Sequence, residues 1–251
     1  MATPGACYYL LAMSDDPKVP DRAASAGVDA FLQKAAAIPK GKAPGSGGRL
    51  LFGLDATASR QSTWDRAAHI QAEMFQAASS LGGLDIQLAF FRGFGEFKVS
   101  PWTSNGPELL RLMTSVTCLA GETQLAKVLK HARNEQKRRK IDALVYVGDC
   151  FEEDIDAVGA VAGELGLLGL PCFMFHEGAD QLAAFAFQQI AKLSGGAYFS
   201  FDAASAQTLT ELLRAVAVYA SGGFQALKDH SRSGGGEVRQ ITDQLARHRN
   251  G

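Results

Sequence analysis

Asp55, Thr57 and Ser59 set a carboxylate and two hydroxyls on alternate positions of one short stretch. They follow Leu50-Leu51-Phe52-Gly53-Leu54, an apolar run that reads as a buried parallel strand. The three polar groups therefore emerge at the C-terminal end of a strand, the edge at which open α/β sheets bind ligands. Hard oxygen donors of this kind suit a small hard cation such as Mg²⁺. Two more candidates stand at later element ends. Thr123, in Ala120-Gly121-Glu122-Thr123, opens a helical pattern, where read alone it is an N-cap. Asp149, with Gly148, closes the apolar run Ala143-Leu144-Val145-Tyr146-Val147, and read alone it caps the next helix.

The elements that must position these residues alternate along the chain. Strand patterns cover 49–56, 85–92, 96–100, 141–147, 171–175 and 197–201. Helical patterns cover about 62–81, 107–115, 123–138, 154–165, 180–193 and 204–219. Gly93-Phe94-Gly95 joins two strands too closely for a parallel crossover, so 96–100 runs antiparallel to its neighbour. The remaining alternation implies a mainly parallel sheet covered on both faces, with right-handed crossovers. Ahead of it, 21–38 reads as an amphipathic helix and 39–48 as a Pro/Gly linker. Residues 222–251 read as a polar tail with a short helical pattern at 237–248. The expected organisation is thus 1–48, a domain at 49–221, and a tail at 222–251.

Composition bounds the function. With 251 residues, 47% of them hydrophobic and 20% charged, the chain fits one globular α/β domain with appendages. A net charge of −1 lacks the basic surplus of a dedicated nucleic-acid binder. Cys7, Cys118, Cys150 and Cys172 stand singly, with no zinc-ligand spacing, and the five histidines show none either. No signal peptide and no membrane span is read, and a cytoplasmic protein is expected.

Asp55, Thr57, Ser59, Thr123 and Asp149 together resemble the metal-ion-dependent adhesion site of von Willebrand factor A domains. That pattern is Asp-x-Ser-x-Ser, a Thr on a second loop, and an Asp after the fourth strand. Thr57 departs from it by one methyl and keeps the hydroxyl. The resemblance covers roughly 49–220 and implies a three-layer, Rossmann-like α/β fold. Its sheet would be mostly parallel with one short antiparallel edge strand. It also implies Mg²⁺, with Mn²⁺ or Ca²⁺ as alternatives. In that family the hydroxyls at 57 and 59 bind the cation directly. The threonine binds directly or through water, and the aspartates often act through water. A partner protein's Asp or Glu fills the open position, giving a non-enzymatic interaction module.

Neighbouring residues carry two readings each. Arg60 and Trp64 would contact a partner beside the metal, or be solvated and packed under a helix respectively. Glu152, Glu153, Asp154 and Asp156 would form a second metal site, or complement a helix dipole. The run 137–140 is basic, either anion-binding or a solvated helix end. The rival function is a haloacid dehalogenase-like, Mg²⁺-dependent phosphohydrolase using Asp55 as nucleophile. Asp55-Ala56-Thr57-Ala58-Ser59 is similar to one motif of that class, and Gly148-Asp149 to another. Thr57 stands where its phosphatases want a second acid. A third reading is a scaffold with a vestigial site.

Overall fold

The computed structural model of the protein describes residues 47–61, 84–201 and 206–233. The helices expected at 21–38, 62–81 and 237–248, and Trp64 with them, lie outside the described residues. Among the described residues, six strands form one sheet: β1 (Gly48–Asp55), β2 (Leu84–Arg92), β3 (Glu96–Val99), β4 (Ala143–Gly148), β5 (Cys172–Glu177) and β6 (Ala197–Phe201). Among the same residues five α-helices accompany it: α1 (Gly106–Thr114), α2 (Leu125–Arg138), α3 (Ile155–Leu167), α4 (Gln181–Ser194) and α5 (Ala206–Ser233). The strand order is β3-β2-β1-β4-β5-β6. Every pairing is parallel except β2 with β3.

All eight residues of β1 are buried. That is what a strand between two parallel neighbours requires, and it explains the unbroken apolar run. Alternate side chains feed two cores. Leu50, Phe52, Leu54, Val145, Val147, Phe173 and Phe175 meet α1 and α5 on one face. Leu51, Leu144, Tyr146 and Met174 meet α2, α3 and α4 on the other. Each such side chain, fully removed from water, contributes about 1.5–3 kcal/mol. The chain leaves β1 towards β2 on one side and later returns to pair β4 on its other side. Between β1 and β4 the winding direction switches, and the crevice beyond their C-terminal ends is where such sheets take ligands.

The strands keep the expected boundaries to within two residues, and two ends of the domain differ more instructively. β1 begins at Gly48, the last residue of the expected linker, which pairs with Leu84. A Cβ there would lie 2.3 Å from the Ala220 carbonyl oxygen, so the apparent linker glycine is a packing requirement. At the other end α5 passes straight through Gly222-Gly223 to Ser233, although the sequence pattern ends the helix near Tyr219. Each glycine costs a helix about 1 kcal/mol relative to alanine. Ala226 packs against the core beyond them, and that docking carries the helix on. Among the described residues no helix is long and apolar enough to cross a membrane.

Candidate metal centre at the sheet switch point

Asp55 closes β1 and Asp149 follows β4, so the two carboxylates flank the switch point. Asp55 is fully buried. Its Oδ1 accepts the Thr57 backbone N–H at 2.8 Å, the Asx-turn geometry that an Asp-x-Thr sequence favours. Its Oδ2 has no hydrogen-bond partner, and neither has the buried Oδ1 of Asp149. Burial pushes the Asp55 carboxyl up to about 6. The Thr57 hydrogen bonds oppose the rise, Asp149 reinforces it, and the Arg60 guanidinium works against it.

Two of the hydroxyls stand together on the turn after β1. Thr57 Oγ1 and Ser59 Oγ stand 3.1 Å apart, across the turn that becomes a short 3₁₀ helix at Ala58–Arg60. Thr57 is also bridged to Leu119, whose N–H donates to the Ala56 carbonyl at 3.1 Å. The first loop is thereby stitched to the second, which carries Thr123. Among the described residues no group of three or more His, Cys, Asp and Glu converges. The candidate set is three hydroxyls and two carboxylates, the composition of a hard-cation site.

Thr123 does not cap α2, since the N-cap position is Gln124 and no side chain of its own caps there. The Thr123 hydroxyl oxygen instead accepts the Glu152 N–H at 2.9 Å. A hydroxyl has one donor and two lone pairs, so one lone pair is left for a cation. Asp149 is no cap either, because α3 is capped by Asp154, which accepts from Asp156 and Ala157.

The acidic cluster at 152–156 therefore resolves into separate tasks. Glu153 accepts from the Leu125 and Ala126 amides at the start of α2, at 2.5 and 2.9 Å. Glu152 accepts from the Thr123 N–H at 3.1 Å. These carboxylates do complement a helix dipole, but that of α2 as well as α3. Their wider effect is to lock the Thr123 loop to the Asp149 loop.

Arg60 does not project towards a partner. It is 1% exposed and ion-paired with Glu177 at 2.8 Å, which ties the turn after Ser59 to the end of β5. His176, the residue before Glu177, is buried too, and burial lowers its pKa. Its Nε2 lies 3.3 Å from the Asp149 carbonyl oxygen and its Nδ1 3.0 Å from the Tyr198 hydroxyl. Pattern reading did not single out Glu177, and it did not foresee the loop-to-loop contacts of Glu152, Glu153 and His176. Nothing in their spacing signals contacts across 27 or 29 residues of separation. The basic residues 137–140 cluster at the end of α2, where exposed Lys137 and Arg138 occupy the last turn.

Gly121 lets the second loop approach the β2–β3 turn. A Cβ on it would lie 2.1 Å from the Gly93 carbonyl oxygen, a contact that only backbone movement relieves. Gly121→Ala is expected to cost about 1–3 kcal/mol in chemical denaturation, the usual penalty of overpacking. An unchanged midpoint would show that the loop yields freely.

Neither a protein-family model nor a curated protein matches the chain in sequence. Solved structures match in fold. The VWA domain of SpRpn10 superposes with a TM-score of 0.55 at 14% identity, over 67% of this chain and 94% of that one. The vWF domain of Mfa5, a type V pili tip protein from Porphyromonas gingivalis, gives 0.59 at 10% identity, over 72% and 98%. Proximal thread matrix protein 1 from the mussel byssus, with a zinc-occupied MIDAS motif, gives 0.54 at 13% identity, over 69% of this chain and 46% of that one.

Proposed function

We propose that this chain, which has the von Willebrand factor A fold of those structures, is a non-enzymatic interaction module. In this reading Asp55, Thr57, Ser59, Thr123 and Asp149 hold a divalent cation, Mg²⁺ first, and a partner protein's Asp or Glu completes its coordination. The observation that carries it is a pair of buried carboxylate oxygens without hydrogen-bond partners, Asp55 Oδ2 and Asp149 Oδ1, on carboxylates that repel each other at the sheet edge where the Thr57 and Ser59 hydroxyls stand 3.1 Å apart. Buried acceptors in native proteins are almost always satisfied, so two left together call for a cation. The ion would supply an electrophilic centre with a position open to an acidic ligand. Zinc in the mussel protein's MIDAS motif supports a divalent ion at such a site.

The phosphohydrolase reading finds less support. Asp55 is fully buried, and Thr57 stands where the phosphatases of that class want a second acid. Calorimetric titration of MgCl₂ or MnCl₂ is expected to show saturable binding that Asp149→Asn weakens by at least about tenfold, or ~1.4 kcal/mol. An immobilised peptide carrying a single Glu should then capture the protein, and EDTA should release it. Equal capture with and without metal would end the proposal. Mg²⁺-dependent turnover of an aryl phosphate, lost in Asp55→Asn, would favour the enzyme.

A further inference from the structure

The helices α3 and α4 pack side by side over one face of the sheet, and both contain long stretches without charge. No charged residue stands from Ala157 to Gly163, or from Gln181 to Ala191. A helix with water on one side ordinarily carries charge there, as the neighbouring α2 does with exposed Lys130 and Lys137. On α3 and α4 apolar groups take the outer positions instead. Leu182, Phe185 and Leu193 are 55%, 52% and 46% exposed, and their spacing sets them on one face of α4, interrupted only by Gln189. Leu167, in the last turn of α3, is 92% exposed. The two helices touch at Gly166, where a Cβ would lie 2.2 Å from the Leu193 carbonyl oxygen. One turn earlier, a Cβ at Gly163 would meet nothing within 4 Å. The outer side of the pair is therefore an open, uncharged, apolar groove far larger in reach than a single exposed leucine needs.

We propose that this groove receives the chain's own segment 21–38, bound as a helix running in the same direction as α4. That segment lies outside the described residues, and its sequence carries the complementary stripe: Val28, Phe31, Leu32 and Ala35 at helical spacing. Pro39 ends the pattern. β1 begins at Gly48, on the sheet edge where α3 and α4 end ahead of β5 and β6. β1 and β5 are two strands apart, about 10 Å. Residues 39–47 span up to roughly 30 Å when extended, so the end of the segment reaches Leu193 with length to spare. A tethered segment acts at an effective concentration on the order of millimolar, which favours it over a second copy of the chain. Exposed Asp154, Asp156, Glu164 and Asp180 rim the pair against Lys192, so anionic lipid headgroups are repelled. The segment carries Asp21, Arg22, Asp29 and Lys34, charges that cancel, and the same carboxylates do not repel it.

The test is hydrogen–deuterium exchange of the whole chain in EDTA, read by mass spectrometry on peptides from 21–38 at low and high protein concentration. Wild type is expected to exchange there at least about tenfold more slowly than unstructured chain, at either concentration. Phe31→Asp alters the segment and Phe185→Asp the exposed groove. Each should abolish that protection and leave exchange in β1, β4 and β5 unchanged, whereas Phe185→Leu should keep it. Unprotected 21–38 in wild type would overturn the proposal. Protection lost in Phe31→Asp but kept in Phe185→Asp would place the segment elsewhere and overturn the groove. Protection that arises only at high concentration, with a dimer in sedimentation, would give the groove to a second copy instead. Unprotected 21–38 with binding to phosphatidylglycerol vesicles that Phe185→Asp abolishes would give it to a membrane.

Discussion

Asp55→Asn is expected to raise the thermal stability of the metal-free protein at pH 7 while abolishing its stabilisation by Mg²⁺. Burial lifts the Asp55 carboxyl from 3.8 to about 6 in the folded chain. The folded state therefore binds this proton more tightly than the unfolded state does. The resulting stability is fully present below about pH 3.8, declines as pH rises towards 6, and is gone above it. At pH 7 wild type has lost it, whereas Asn, which cannot ionise, retains it. A shift of about two units corresponds to up to about 3 kcal/mol. In a domain of this size that is ~5–10 °C in melting temperature. Asn also keeps an oxygen for the Thr57 amide, so the Asx-turn survives. The metal works in the opposite sense. A cation at a hundred times its dissociation constant adds about 2.7 kcal/mol to a protein that binds it only when folded. Differential scanning calorimetry in EDTA and in MgCl₂ reads both effects. A variant that melts below wild type in EDTA would show that Asp55 serves packing rather than a cation.

That inverse relation between stability and ligand affinity is what a site looks like when it holds charge in place for something else. It also shows what the sequence made legible. The order of elements follows from the apolar periods, and the antiparallel β3 from the brevity of Gly93-Phe94-Gly95. Asp55, Thr57 and Ser59 are visible because one turn carries all three. Thr123 and Asp149 are visible only as strand-edge polar residues, each with a capping role as its simpler explanation, and the structure gives both caps to others. Glu153 at the start of α2 and His176 beneath the Asp149 loop were not legible, because their partners are set by sheet order rather than by spacing. The end of α5 was misread for a related reason. Gly222-Gly223 is a local stop signal, and the docking of Ala226 that overrides it is tertiary.

Arg60 illustrates the same limit with a larger energetic consequence. A guanidinium one residue beyond Ser59 reads naturally as a partner contact, yet it is buried against Glu177, whose side chain is only 10% exposed. Arg60→Ala would leave that carboxylate buried and uncompensated. The expected cost is about 3–5 kcal/mol, the range for breaking one side of a buried pair. Guanidinium denaturation in EDTA measures it without involving the metal. Replacing both partners, Arg60→Met with Glu177→Leu, is expected to recover most of the loss, because two apolar side chains need no partner. The pair also joins the turn that carries Ser59 to the end of β5, next to the histidine that touches the Asp149 carbonyl. If it acts as that tie, the double variant regains stability but binds Mn²⁺ more weakly than wild type, because Ser59 is no longer held. A single Arg60→Ala that costs less than about 1 kcal/mol would place the pair among ion pairs that contribute little. The orientation of the Asp55–Ser59 loop would then rest on contacts such as the Thr57–Leu119 bridge and the hydrogen bond from the Ala56 N–H to the Phe91 carbonyl.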